Sequence, residues 1–143
     1  MNCDFCENNS IKERLITENE LAKAFPTSQP IVPGHTLIIS KRCVPKFEDL
    51  TTKEKDAIFD LIKKIKMALT KTFNCTEFNH AWNEGSTAGQ TVPHFHLHII
   101  PRKEDDNGIH KYEPRKFLYR PSSRNNSPEE ELKNVAQEIK KNL

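Results

Sequence analysis

A chain of 143 residues with 29% charged side chains and a net charge of +2 has the size of one ordinary domain and a well solvated surface. That balance excludes the strongly one-sided basic field of a dedicated nucleic-acid binder, so no specific nucleic acid is expected as partner. No window approaches the roughly 18–20 apolar residues of a membrane span, and Met1-Asn2-Cys3-Asp4-Phe5-Cys6 has no secretory character, so a soluble cytoplasmic chain is expected.

Cys3-x-x-Cys6 comes first, and in a reducing compartment this spacing reads as a metal or redox pair; Cys43 and Cys75 need separate placing. Short runs rich in β-branched and aromatic residues predict strands at 15–17, 21–25 and 36–40, with turns at Pro26-Thr27-Ser28-Gln29-Pro30 and Pro33-Gly34. Thr51-Thr52-Lys53-Glu54 is a capping box ahead of Ile58, Leu61, Ile62, Ile65 and Leu69, which predicts a long amphipathic helix over about 52–72.

Two further strands are predicted at 76–82 and 95–100, joined by a glycine-containing loop over 83–93. The charged stretch 103–126 has no clear period and reads as an extended arm that packs through Tyr112, Phe117, Leu118 and Tyr119 and carries Arg115, Lys116, Arg120 and Arg124. Ser127-Pro128-Glu129-Glu130 is a second capping box, with proline at the first helical position, and opens the spacing Leu132, Val135, Ala136, Ile139. A C-terminal helix over about 128–142 follows, within a closing segment 127–142. Strands and helices segregated in this way predict a single α+β domain over 1–143: a five-stranded antiparallel sheet with a long helix and a C-terminal helix.

The chemistry concentrates in His94-Phe95-His96-Leu97-His98-Ile99-Ile100. Side chains alternate across a strand, so the three imidazoles share one face while Phe95, Leu97 and Ile99 share the other. Such a row serves as a polar outer face, as a metal site, or as a nucleophilic centre in which a neutral imidazole attacks phosphorus. The preceding loop of small residues, Gly85 to Thr91, lets backbone N–H groups approach phosphate oxygens, which suits the third use.

With Ala88-Gly89-Gln90-Thr91-Val92-Pro93 ahead of the histidines and Pro33-Gly34-His35-Thr36-Leu37-Ile38-Ile39 earlier, the chain resembles the histidine triad (HIT) family of nucleotide hydrolases and transferases. The resemblance implies a two-fold dimer that pairs through the long helix and a sheet edge into one continuous sheet. It implies hydrolysis at the α-phosphate of a purine nucleotide substrate, an AMP-containing dinucleoside polyphosphate or phosphoramidate, through a nucleotidyl-histidine intermediate. His96 would attack, His98 would bind the phosphate oxygens and His35 would hold the triad. Asn83, Gly89, Gln90 and Thr91 would contact the phosphate or leaving group, and Phe5 would line the base pocket. Thr27 stands where relatives often carry an acidic or amide residue for the ribose, so ribose recognition is built differently. A nucleotide-binding regulatory module with little turnover is the alternative.

Bacterial HIT relatives with a similar start hold a structural zinc with two further ligands, a histidine just after the Gly-His-x-Leu strand and the first triad histidine. Here the first of these positions is Cys43, so the resemblance implies zinc on Cys3, Cys6, Cys43 and His94, with Cys75 left as an unpaired thiol.

Overall fold

The structure is a computed structural model that describes residues 3–106 and 126–143. The arm residues Tyr112, Arg115, Lys116, Phe117, Leu118, Tyr119, Arg120 and Arg124, and the expectation that they form an extended arm, lie outside the described residues.

Two four-residue helical turns come first, α1 (Asp4–Glu7) and α2 (Ser10–Glu13), too short to leave a periodic signal in the sequence. The strands are β1 (Thr17–Glu18), β2 (Ala22–Pro26), β3 (Thr36–Ser40), β4 (Glu77–Ala81) and β5 (His96–Arg102). They form one antiparallel sheet in the order β1-β2-β3-β5-β4. This matches the expected α+β architecture. The first strand is displaced from the expected 15–17: Leu15 lies outside it, and Ile16 only donates one backbone hydrogen bond to Ala24 (2.9 Å) before regular pairing begins at Thr17↔Ala24.

The long helix α3 (Thr52–Phe73) starts as expected, with the Thr51 hydroxyl accepting from the Glu54 N–H at 3.1 Å. Glu54 does not complete the box. Its carboxylate is buried and accepts instead from Arg42 Nε at 2.8 Å, tying the helix start to the β3–α3 connection. Asn74 closes the helix in the left-handed conformation at φ 52°. The C-terminal helix α4 (Glu129–Lys141) begins one residue later than the sequence indicates, with Pro128 at the N-cap and no side-chain cap. The second capping box is therefore not formed: the Ser127 N–H donates to Ser28 O (2.8 Å) and Glu129 is drawn to Arg14.

The main core lies between the sheet and the helices. Ile58, Leu61, Ile65 and Leu69 of α3 and Ala136 and Ile139 of α4 pack on Ala22, Ala24, Ile38, Leu97 and Ile99. Each large aliphatic chain buried there contributes roughly 1.5–3 kcal/mol. The sheet's other face carries a smaller cluster of Ile11, Phe25, Leu37 and Ile39, with Phe5 packed against it. Strand alternation thus sends Leu97 and Ile99 to the helices and leaves His96 and His98 on the opposite face, as the period of two requires. Among the described residues no helix is long and apolar enough to cross a membrane.

Candidate active site and metal cluster

β5 is the strand second from one edge of the sheet, flanked by β3 and β4, so its side chains have fixed directions. His96 and His98 stand side by side, ring centroids 5.1 Å apart. They line a cleft of about 330 Å³ with Phe5, Arg14, Phe25, Thr27, Leu37 and Thr91. His35, at the start of β3, meets His98 across the two strands, Nε2 to Nδ1 at 2.9 Å.

The hydrogen bonds fix where the ring protons sit. The Ile31 N–H donates to His35 Nδ1 (3.1 Å), so His35 Nε2 carries the proton and donates to His98 Nδ1. His98 then holds its own proton on Nε2. His96 Nδ1 lies 2.8 Å from the carbonyl of His94, which only accepts, so Nδ1 is the donor and the lone pair is on Nε2. Burial holds the His96 pKa below the ordinary histidine value, which keeps this imidazole neutral at neutral pH. A neutral imidazole with its lone pair on Nε2, beside one with its proton on Nε2, is a nucleophile next to an anion-binding donor.

The other expected site residues fall into two groups. Phe5, Thr27 and Thr91 line the cleft; Phe5 meets His96 edge-on with centroids 5.1 Å apart. Thr27 is buried, its hydroxyl accepting from the Gln29 N–H at 3.3 Å. Asn83, Gly89 and Gln90 belong to the loop before β5, outside the cleft lining. Asn83 Nδ2 is 3.5 Å from Gly89 O, and the Gln90 amide is held at both ends, by the Gly85 N–H and by Pro45 O, each at 2.8 Å. Gln90 thereby shapes the loop that carries Thr91.

Arg14 is a cleft residue that sequence reasoning missed. Its side chain is only 3% exposed and donates from Nε to Pro26 O (3.1 Å) and from Nη1 to both carboxylate oxygens of Glu129 (2.8 and 2.9 Å). No local signal marks it, because its charge partner lies 115 residues along the chain.

Cys3, Cys6, Cys43 and His94 meet behind the cleft, with one ligand atom from each lying within 4.8 Å of all the others. His94 Nε2 donates to Ser40 O (2.7 Å), which leaves the Nδ1 lone pair facing Cys3 Sγ at 3.5 Å and Cys6 Sγ at 3.7 Å. Burial, and then the neighbouring Cys3 and Cys6 thiols, push the Cys43 pKa up to about 12. Three thiols and an imidazole lone pair converging on one point are a donor set for a tetrahedral metal ion, which would hold the sulfurs as thiolates. Cys75 stands apart, buried, with its thiol 3.7 Å from Leu69 O.

Comparison with known proteins agrees with this geometry. A family model described as the HIT domain matches residues 8–105. The bis(5'-nucleosyl)-tetraphosphatase (asymmetrical) of Schizosaccharomyces pombe is 40% identical over 96 residues, 67% of this chain and 53% of that protein, so the chain spans about half the length of this relative. An uncharacterised HIT-like protein of Mycoplasma genitalium is 41% identical over 75% of this chain and 77% of its own length. The crystal structure of a HIT family protein from Bacillus anthracis superposes with a TM-score of 0.68 at 32% identity, covering 99% of this chain and 97% of that one.

Proposed function

The chain belongs to the HIT family, and on that premise we propose that it hydrolyses dinucleoside polyphosphates or nucleoside phosphoramidates at the α-phosphate. The observation that carries the reading is the proton order of the histidines, a lone pair on His96 Nε2 beside a proton on His98 Nε2, both at one cleft. The activity for which the fission-yeast relative is named supports the polyphosphate class.

In the reaction, His96 Nε2 forms a bond to the α-phosphorus as the bond from that phosphorus to the leaving oxygen or nitrogen breaks. Water then attacks the same phosphorus and displaces His96, releasing a nucleoside monophosphate. His98 Nε2–H donates to the phosphoryl oxygens, held in line by His35. Positioning and charge stabilisation supply most of the rate in such transfers. Phe5, Phe25 and Leu37 make the apolar slot for the base, and Thr27 and Thr91 offer hydroxyls along the cleft toward the ribose and phosphates. Asn83, Gly89 and Gln90 set the loop against the leaving group.

The Cys3, Cys6, Cys43 and His94 set fits structural zinc, which when bound would fix α1 to the strand that bears His96. A homodimer is supported by the edge strand β4 and the helix beside it. Lys55 and Lys66 of α3 lie over Phe47 and Phe78, Phe47 stacks on Trp82, and Phe59, Met67 and Trp82 stay 48%, 64% and 42% exposed.

Incubation with diadenosine tetraphosphate, diadenosine triphosphate and adenosine phosphoramidate should release AMP, and in ¹⁸O-water the label should enter AMP alone. Nucleotide binding with no AMP released from any of the three would favour the regulatory module instead.

A further inference from the structure

The cleft runs between two chemically different ends. His96 touches Phe5 (5.1 Å between centroids), Phe5 touches Phe25 (5.7 Å), and Arg14 lies over Phe25 with its guanidinium carbon 5.8 Å from the ring centre. Phosphate chemistry occupies the first end. Phe5, Phe25 and Leu37 cover the flat faces of a base, but apolar walls read no base edge. Past Phe25, at the end of this run of contacts away from His96, stands Arg14.

Three of the guanidinium's obligations are met inside the protein, by Pro26 O, Ser10 Oγ and the Glu129 carboxylate, and all of them fall on Nε and Nη1. Nη2 makes no hydrogen bond among the described residues, yet no side-chain nitrogen or oxygen there is sealed from solvent without a partner. Arg14 lines the cleft, and Nη2 is the guanidinium nitrogen that the described residues leave for a ligand there. A side chain this deeply buried and clamped by Glu129 holds one geometry, which makes it a selective donor.

We propose that Arg14 reads the base edge and makes the cleft prefer a 6-oxopurine nucleotide, guanine over adenine; this rests on the cleft being the nucleotide site. A guanidinium only donates. A 6-oxopurine presents O6 and N7 as adjacent acceptors, whereas adenine replaces O6 with an amine and sets donor against donor. Asp4 lines the same cleft and makes no ion pair among the described residues, so an acceptor is available for the N1–H that flanks O6.

The test is calorimetric binding of GMP, IMP, AMP and 2-aminopurine riboside monophosphate to the full chain. GMP and IMP should bind about tenfold or more tightly than AMP, the scale of one charge-assisted hydrogen bond. The 2-aminopurine nucleotide, which keeps the 2-amine but lacks O6, should fall with AMP. Arg14→Met should erase the preference, so that GMP, IMP and AMP bind with the same affinity whatever that affinity is. The wild-type series stands alone if that variant does not fold. AMP binding as tightly as GMP and IMP, or the 2-aminopurine nucleotide matching GMP, would overturn the proposal while leaving the nucleotide site in place. Failure of all four to bind would overturn both readings.

Discussion

His35 Nε2 lies 2.9 Å from His98 Nδ1, and the Ile31 N–H holds the opposite nitrogen of His35 as an acceptor. Replacing His35 by Ala removes the donor that orients His98, so the catalytic rate should fall by about tenfold, the scale of one lost hydrogen bond. His35→Gln keeps an N–H donor and should recover part of it. Steady-state rates on one polyphosphate substrate, with thermal melts to show both variants folded, decide the matter; equal rates in all three proteins would remove His35 from the relay.

His96→Asn deletes the attacking nitrogen while keeping a polar side chain with an N–H donor at this buried position. Turnover should drop by about three orders of magnitude or more. Nucleotide affinity should change little. Single-turnover quench with labelled substrate should trap a protein-bound nucleotide in the wild type and none in the variant, and a variant that still forms the adduct would move the nucleophile elsewhere.

Cys43 supplies the third sulfur of the cluster formed with Cys3, Cys6 and His94. Protein purified without added metal should contain close to one zinc per chain, and Cys43→Ala should lower both zinc content and melting temperature. Elemental analysis and calorimetry read these independently of activity. Metal-free protein with an unchanged melting temperature would leave the four residues without a metal to hold.

Gly34 precedes His35 at φ +92°, and a Cβ built there would sit 2.6 Å from Phe73 Cε2. Gly34→Ala should therefore cost about 1–2 kcal/mol for the left-handed backbone alone, with repacking of Phe73 added to it. Chemical denaturation measures the loss. A variant as stable as the parent would mean that the turn relaxes to negative φ.

Features with a short period are legible in the chain itself. The alternation of His96 and His98 with Leu97 and Ile99 assigns their faces, and Thr51 announces the start of α3 through its own side chain. Features made by distant partners are not legible in this way. Glu54 turns to Arg42 and Ser127 to Ser28, because tertiary partners are better placed than the local caps these segments resemble. Arg14 looks like any surface arginine until Glu129 is brought to it, and the four-residue turns α1 and α2 are shorter than any helical repeat. Cys43 draws notice only through family likeness, since nothing adjacent to it in the chain marks a ligand.

The contacts Cys3–His94 and Arg14–Glu129 bridge 91 and 115 residues. A chain made one residue at a time cannot close the walls of this cleft as they are synthesised. Residues 3–14 must wait, first for the histidine strand to emerge and then for α4, before Phe5 and Arg14 acquire fixed positions. Nascent chains stalled short of residue 129 should therefore hold the histidine strand and the long helix yet retain nucleotide less well than chains in which α4 has emerged.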